Sequence, residues 1–121
     1  MTRQMTPDEH PTRAQQLLGD FMPKLVSLTD DVLFGDVWER AELTPRDRSL
    51  ITVAALITNG SVEQLPGHLR RAKSNGVDES ELKEVIAHLA FYAGWPRAMS
   101  AAAVAKNVFD GGTAKETRSE Q

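Results

Sequence analysis

The sequence predicts an all-α domain of six helices. Apolar residues recur three and four apart from Ala14 to Phe109 and almost nowhere alternate as they would in a half-buried strand. Glycines end these runs, and hydroxyl or acidic capping residues open several of them. The first helix carries Ala14, Leu17, Leu18 and Phe21 on one face and ends near Asp20 to Met22. Pro23 suits the first position of a second helix, whose Leu25, Leu28, Val32 and Leu33 lead to Phe34 before Gly35 stops it. A short turn around Val37 and Trp38 follows. Thr44-Pro45-Arg46-Asp47 is a start signal, with a hydroxyl cap, a proline in the first turn and an acid three residues after the cap. The third helix then runs to Thr58 and is closed by Asn59-Gly60. Leu50, Ile51, Val53, Ala54, Ala55, Leu56 and Ile57 leave it little polar face, so it is expected to be central and buried on most sides.

Ser61-Val62-Glu63-Gln64 has the form of a second capping box, opening a fourth helix that tolerates Pro66 near its start and ends at Gly76 in a left-handed cap position. Asp78-Glu79-Ser80-Glu81 opens the fifth, with a stripe of Leu82, Val85, Ile86, Leu89 and Ala93, and Gly94-Trp95-Pro96 ends it. The last helix carries Ala98, Ala101, Ala102, Ala105, Val108 and Phe109, and these small side chains suit a tight helix or subunit contact. Residues 1–11 and 111–121 are polar and read as mobile tails, which leaves one domain over 12–110.

Composition excludes several chemistries. At 121 residues the chain has room for a single core. Fourteen basic against 17 acidic residues give a formal charge of -3 with no basic run, so nucleic acid is not an expected partner. The absence of cysteine removes disulfides, thiolate metal sites and a thiol nucleophile. No basic stretch followed by an apolar run opens the chain, and the run from Ile51 to Ile57 is too short to span a bilayer. A soluble, cytoplasmic protein without membrane contact is expected.

His68 draws attention within NGSVEQLPGHLRRA. On a helical wheel Leu65, Leu69 and Ala72 face the core, whereas His68 and Gln64 lie at the edge of that face with Ser61 on the same side. A half-sheltered histidine suits proton transfer, although the same position also suits a histidine that only hydrogen-bonds a neighbouring helix. On the fifth helix Glu84, His88 and Tyr92 form a polar stripe four residues apart, so that His88 and Tyr92 share one wall. That spacing is short of a full metal-ligand set and HExxH is missing, so no metal is expected. Glu63 lies nearly opposite Leu65, where only a partner subunit would place it in a pocket. Arg40, Arg46 and Arg48 cluster around the start of the third helix; each suits a surface salt bridge, and together with Trp38 they suit binding of a carboxylate.

FGDVWERAELTPRDRSLITVAALITNG, VEQLPGHLRRAKSNGV and ELKEVIAHLAFYAGWPRAMSAAAVAKNVF closely resemble the carboxymuconolactone decarboxylase family. The resemblance covers roughly Leu17 to Phe109 and rests on GDxW, RDRSL, EQLxxHxxxAxxNG and HxAFYAGWP together. It implies the helical fold shared with the alkyl hydroperoxidase D proteins, assembled as a homo-oligomer, a trimer or hexamer. In the peroxidase branch of that fold a Cys-x-x-Cys pair stands seven and four residues before the histidine, and a glutamate nineteen before it. Those places here hold Ser61, Gln64 and Ser49, so peroxide chemistry through a thiolate is not expected.

The decarboxylase branch implies a lyase of aromatic catabolism acting on a γ-carboxylated butenolide such as 4-carboxymuconolactone. Loss of carbon dioxide there leaves a dienolate, with the lactone itself as electron sink, so no cofactor is required. In this reading His68, with His88 and Glu63, handles the proton or the oxyanion. Arg48 clamps a carboxylate, and Tyr92, Trp38, Ser49 and Gln64 complete the substrate pocket. The alternatives are a non-catalytic oligomeric accessory or binding protein of the same fold, or a residual peroxide-related redox role.

Overall fold

The computed structural model of the chain describes residues 10–112, which are helical and fall into two compact units, one ending at Leu43 and the other starting at Thr44. Apart from His10, Pro11, Gly111 and Gly112, the expected tails lie outside the described residues.

In the N-terminal unit, α1 (Arg13–Leu18) is opened by a reciprocal capping box between Thr12 and Gln15. The Thr12 hydroxyl also donates to Asp30 Oδ2 at 2.8 Å, which ties α1 to the segment after α2 (Pro23–Ser27). Pro23 starts α2 as expected, but the helix widens into π-helical turns over Leu28–Phe34. Thr29 lies at that transition and its hydroxyl donates back to the Leu25 carbonyl at 2.8 Å, a bond that competes with the α-helical ladder and bends it. Gly35 closes these turns where a Cβ would sit 2.6 Å from the Asp31 carbonyl oxygen. A 3₁₀ turn, Val37–Glu39, then stacks Trp38 on Phe34 with ring centroids 5.7 Å apart.

The C-terminal unit holds α3 (Pro45–Asn59), α4 (Leu65–Ser74), α5 (Glu79–Tyr92) and α6 (Trp95–Asn107), the last passing into a turn at Val108–Gly112 that Gly111 kinks at φ 82°. α3 and α4 form one antiparallel hairpin, α5 and α6 pack as a second pair, and α6 also lies against both α3 and α4. Its core includes Val53 and Ile57 of α3, Leu65, Leu69 and Ala72 of α4, Leu82 and Ile86 of α5, and Ala98, Ala101 and Ala105 of α6. The alanines let α6 approach closely, as their spacing suggested.

Thr44 caps α3 by accepting from the Asp47 N–H at 3.1 Å. Gly60 ends it at φ 74°, with Ser61 N–H on the Leu56 carbonyl and Gly60 N–H on that of Ile57, the paired bonds of a Schellman motif. Gly76, at φ 98°, ends α4 the same way and seats Val77 in the core. The expected capping box at Ser61 is not formed. α4 begins at Leu65, with Gln64 as an N-cap whose side chain makes no cap bond. Pro66 is the reason: in a helix interior its ring would strike the carbonyl of Val62, so the helix starts where proline occupies the first turn. Asp78 and Glu81 complete the capping box of α5, and Glu81 also pairs with Arg46 at the start of α3.

Burial of α3 is narrower than expected. It buries one stripe of Ser49, Val53 and Ile57, while Ile51 is 57% exposed. The apolar character of its other faces therefore has no counterpart in the burial of one chain.

The far end of the α3–α4 hairpin is joined by Asn75, whose Nδ2 donates to the buried Ser49 hydroxyl at 2.9 Å. Asn75→Ala should lower stability by about 1–3 kcal/mol, because it strands a buried hydroxyl, whereas Ser49→Ala releases a half-buried amide that water can reach and should cost less. Urea midpoints of the two variants check this order; equal losses would contradict it.

Candidate functional site

His68 lies one turn into α4, its N–H donating to the Gln64 carbonyl at 3.4 Å. Leu65, Leu69 and Ala72 beside it are fully buried, and the imidazole is half-buried at the edge of that face, as the wheel indicated. Burial pushes its pKa below 6.5, and the positive charge of Arg71 lowers it further. The ring is therefore neutral near pH 7, with one N–H to donate and one lone pair to accept. In that form it suits stabilisation of a developing oxyanion better than delivery of a proton from imidazolium.

The other sequence candidates occupy several places. Arg48 is half-buried near the start of α3. Ser49 is buried and its hydroxyl accepts from Asn75, so it joins α3 to α4. Glu63 and Gln64 are exposed in the segment before α4. His88 and Tyr92 are neighbours on α5 with ring centroids 4.8 Å apart, and both are exposed. Phe91 and Trp95 meet edge to face at 5.6 Å beside them, continuing an exposed aromatic strip. Trp38 belongs to the N-terminal unit, as does Arg40, which lies 3.7 Å from Glu42. α4 and α5 each pack on α3 and α6. His68 and the His88–Tyr92 pair thus stand on different helices.

Three residues escaped the sequence reading. Arg71 follows His68 by three, a helical-neighbour spacing that would have revealed it. Asn75 and Arg97 act through tertiary contacts; Asn75 falls in the EQLxxHxxxAxxNG motif, but its local spacing does not reveal its partner. Arg97, in the first turn of α6, lays its guanidinium over Gly60: a Cβ built there would lie 2.7 Å from Arg97 Cζ. Among the described residues no group of three or more His, Asp or Glu side chains is placed to hold a metal. No helix among them is long and apolar enough to cross a membrane. A groove of about 490 Å³ between α5 and α6 is lined by residues including Lys83, Ile86, Lys106 and Phe109, none of them a sequence candidate.

The lowered pKa of His68 has a stability consequence with a definite sign. Above its ordinary value of 6.5 both folded and unfolded states hold a neutral ring. As pH falls below 6.5 the unfolded chain takes up the proton first, so the folded state loses stability until pH passes the lower folded value. Denaturant midpoints between pH 7.5 and pH 5 should therefore fall more in the parent than in His68→Gln. Equal slopes would contradict the shift. Asp78, whose pKa is lowered by hydrogen bonds from Ser80 and Glu81, acts in a separate and more acidic window.

Residues 23–107 match the carboxymuconolactone decarboxylase family. The chain is 38% identical over 102 residues to 4-carboxymuconolactone decarboxylase of Acinetobacter baylyi, a match covering 84% of this chain and 76% of that one. It is 35% identical over 77 residues to nitrosuccinic acid decarboxylase of Metarhizium robertsii, covering 64% of this chain and 54% of that relative's length. Two differently named decarboxylases and a family match over α2 to α6 agree with the helical architecture, and the chain belongs to the carboxymuconolactone decarboxylase family.

Proposed function

We propose that this chain is a cofactor-free carboxy-lyase in which neutral His68 stabilises the oxyanion formed as carbon dioxide leaves. The observation that carries the reading is the half-buried, low-pKa imidazole at the edge of an otherwise apolar helix face. 4-Carboxymuconolactone and nitrosuccinic acid, named for the two relatives, differ in ring and functional group but share one feature. Each bears its departing carboxylate on a carbon conjugated to an electron sink, the lactone carbonyl through a double bond or the nitro group directly. Each also keeps a second carboxylate one methylene away. The carbon–carboxylate bond breaks, its electron pair moves onto the sink oxygen, and as that oxyanion collapses a proton from water adds to carbon. His68 donates to that oxygen, and Arg48 holds a carboxylate as a planar fork. A substrate with this 1,2-dicarboxylate unit, a γ-carboxylated butenolide foremost, fits the reading.

A second subunit completes the pocket in this proposal. Phe91 (79% exposed), Tyr92, Trp95 and Met99 form an apolar strip on α5 and α6 of the kind a partner covers. A homo-oligomer, a trimer or hexamer as the family resemblance implies, would bring His88, Tyr92 and Glu63 of one subunit toward His68 of another. Sedimentation velocity at micromolar concentration should show the oligomer, and Phe91→Glu with Trp95→Glu should shift it to smaller species with helicity retained. A monomeric parent would remove the shared pocket.

Carbon dioxide release from 4-carboxymuconolactone tests the chemistry. His68→Leu, which has no donor, should lower kcat by about 10²- to 10³-fold. In the parent, kcat/KM should rise with pH through an apparent pKa below 6.5 and then level, because the neutral ring is the working form; His68→Gln keeps a donor and should lose that limb. A parent rate that falls as pH rises through the same region would mean that imidazolium is the working form. Full activity in His68→Leu would leave the family fold without this mechanism.

A further inference from the structure

We propose that Arg97 is the specificity-determining cation for the carboxylate that the substrate retains, an inference that rests on the decarboxylase reading above. The α3–α4 hairpin has two distinguishable ends. Asn75 on Ser49 marks one, and Arg48 adjoins it; the Gly60 turn marks the other. His68 lies three residues, about 5 Å along the axis, from the start of α4, the end that faces the Gly60 turn, and seven residues or about 10 Å from Asn75 at the other. Arg48 and Arg97 therefore stand toward opposite ends of the hairpin that carries His68. Arg97 stands at the nearer end, because α6 packs against both helices of the hairpin and its first turn reaches the Gly60 bend.

Two features make Arg97 suitable for a ligand. Its guanidinium rests on a glycine that is already required by its φ of 74°, so the approach uses space that any side chain would fill. It also makes no ion pair among the described residues, whereas Arg46, Lys73 and Lys106 of the same unit are paired with Glu81, Glu79 and Asp110. Arg97 is exposed, and a guanidinium is a planar fork that takes a carboxylate bidentately, so at the turn end of the hairpin it is assigned to the second carboxylate of a compound whose first is set beside His68. The two carboxylates of the proposed substrates differ in fate, and the asymmetry of the hairpin assigns them different cations.

The test pairs a variant with a substrate truncation. On 4-carboxymuconolactone, Arg97→Gln should raise KM by about 10- to 100-fold with kcat changed much less, and Arg97→Lys should recover part of the loss. On the analogue in which the acetate arm is replaced by methyl, parent and Arg97→Gln should be equally poor. Equal loss on both substrates, or no loss on either, overturns the assignment. Succinate binding, followed by titration calorimetry, reads the same contact without turnover. It should weaken at least about 10-fold in Arg97→Gln while the thermal midpoint is kept. If the parent releases no carbon dioxide but succinate binding depends on Arg97, the decarboxylase reading fails while Arg97 remains a carboxylate-binding residue; succinate binding that is absent or indifferent to Arg97 overturns the assignment.

Discussion

The rotation of α4 about its own axis is the constraint on which the site depends. Ten residues of helix are held by left-handed glycines beyond both ends, and three fully buried side chains, Leu65, Leu69 and Ala72, set which face looks inward. Asn75 then fixes the slide of α4 along α3 by reaching the Ser49 hydroxyl. With rotation and slide both settled, His68 has one place to be. It sits at the boundary between core and solvent, sheltered enough for burial to act on its proton and open enough to meet a ligand.

In the proposed reaction, that boundary would separate two electrostatic tasks that a single cation would confuse. A doubly charged substrate needs positive charge to be held, but an oxyanion that grows during the reaction is best met by a dipole already in place, whose orientation requires no rearrangement as charge develops. Around α4 the positive charge is carried by arginines, and Arg71 in particular helps to keep the imidazole uncharged. The chain as a whole is acidic, with a formal charge of -3, so the anion binding proposed here would be local to the site and not a property of the overall field.

Much of this was legible in the sequence because it is written in short-range chemistry. Thr44-Pro45 and Asp78 to Glu81 announce helix starts through side chains that reach only three residues, and Gly60 and Gly76 announce ends through a backbone angle that other residues avoid. His68 was found by the wheel for the same reason. The start of α4 was misplaced because two local signals competed, a cap-like Ser61 and the ring of Pro66, and steric exclusion outweighed one hydrogen bond. The widening of α2 into π turns left no trace in apolar spacing. Burial of α3 was overestimated because an apolar residue such as Ile51 does not record which molecule covers it. Asn75 and Arg97 were invisible for a more general reason: their partners lie 26 and 37 residues away in the chain.

The segment Ser61–Gln64, a plain turn between two helices, has a length that matters. Each residue of α-helix turns the next by about 100°. Adding or deleting one residue between Gly60 and Leu65 would leave every side chain chemically intact and still force a choice. Either the buried triad keeps its phase and the turn absorbs the strain, or the turn keeps its form and the imidazole swings out of the seam. Surface loops usually tolerate such insertions and deletions well, but this one sets an angular phase, and its residue count is part of the site.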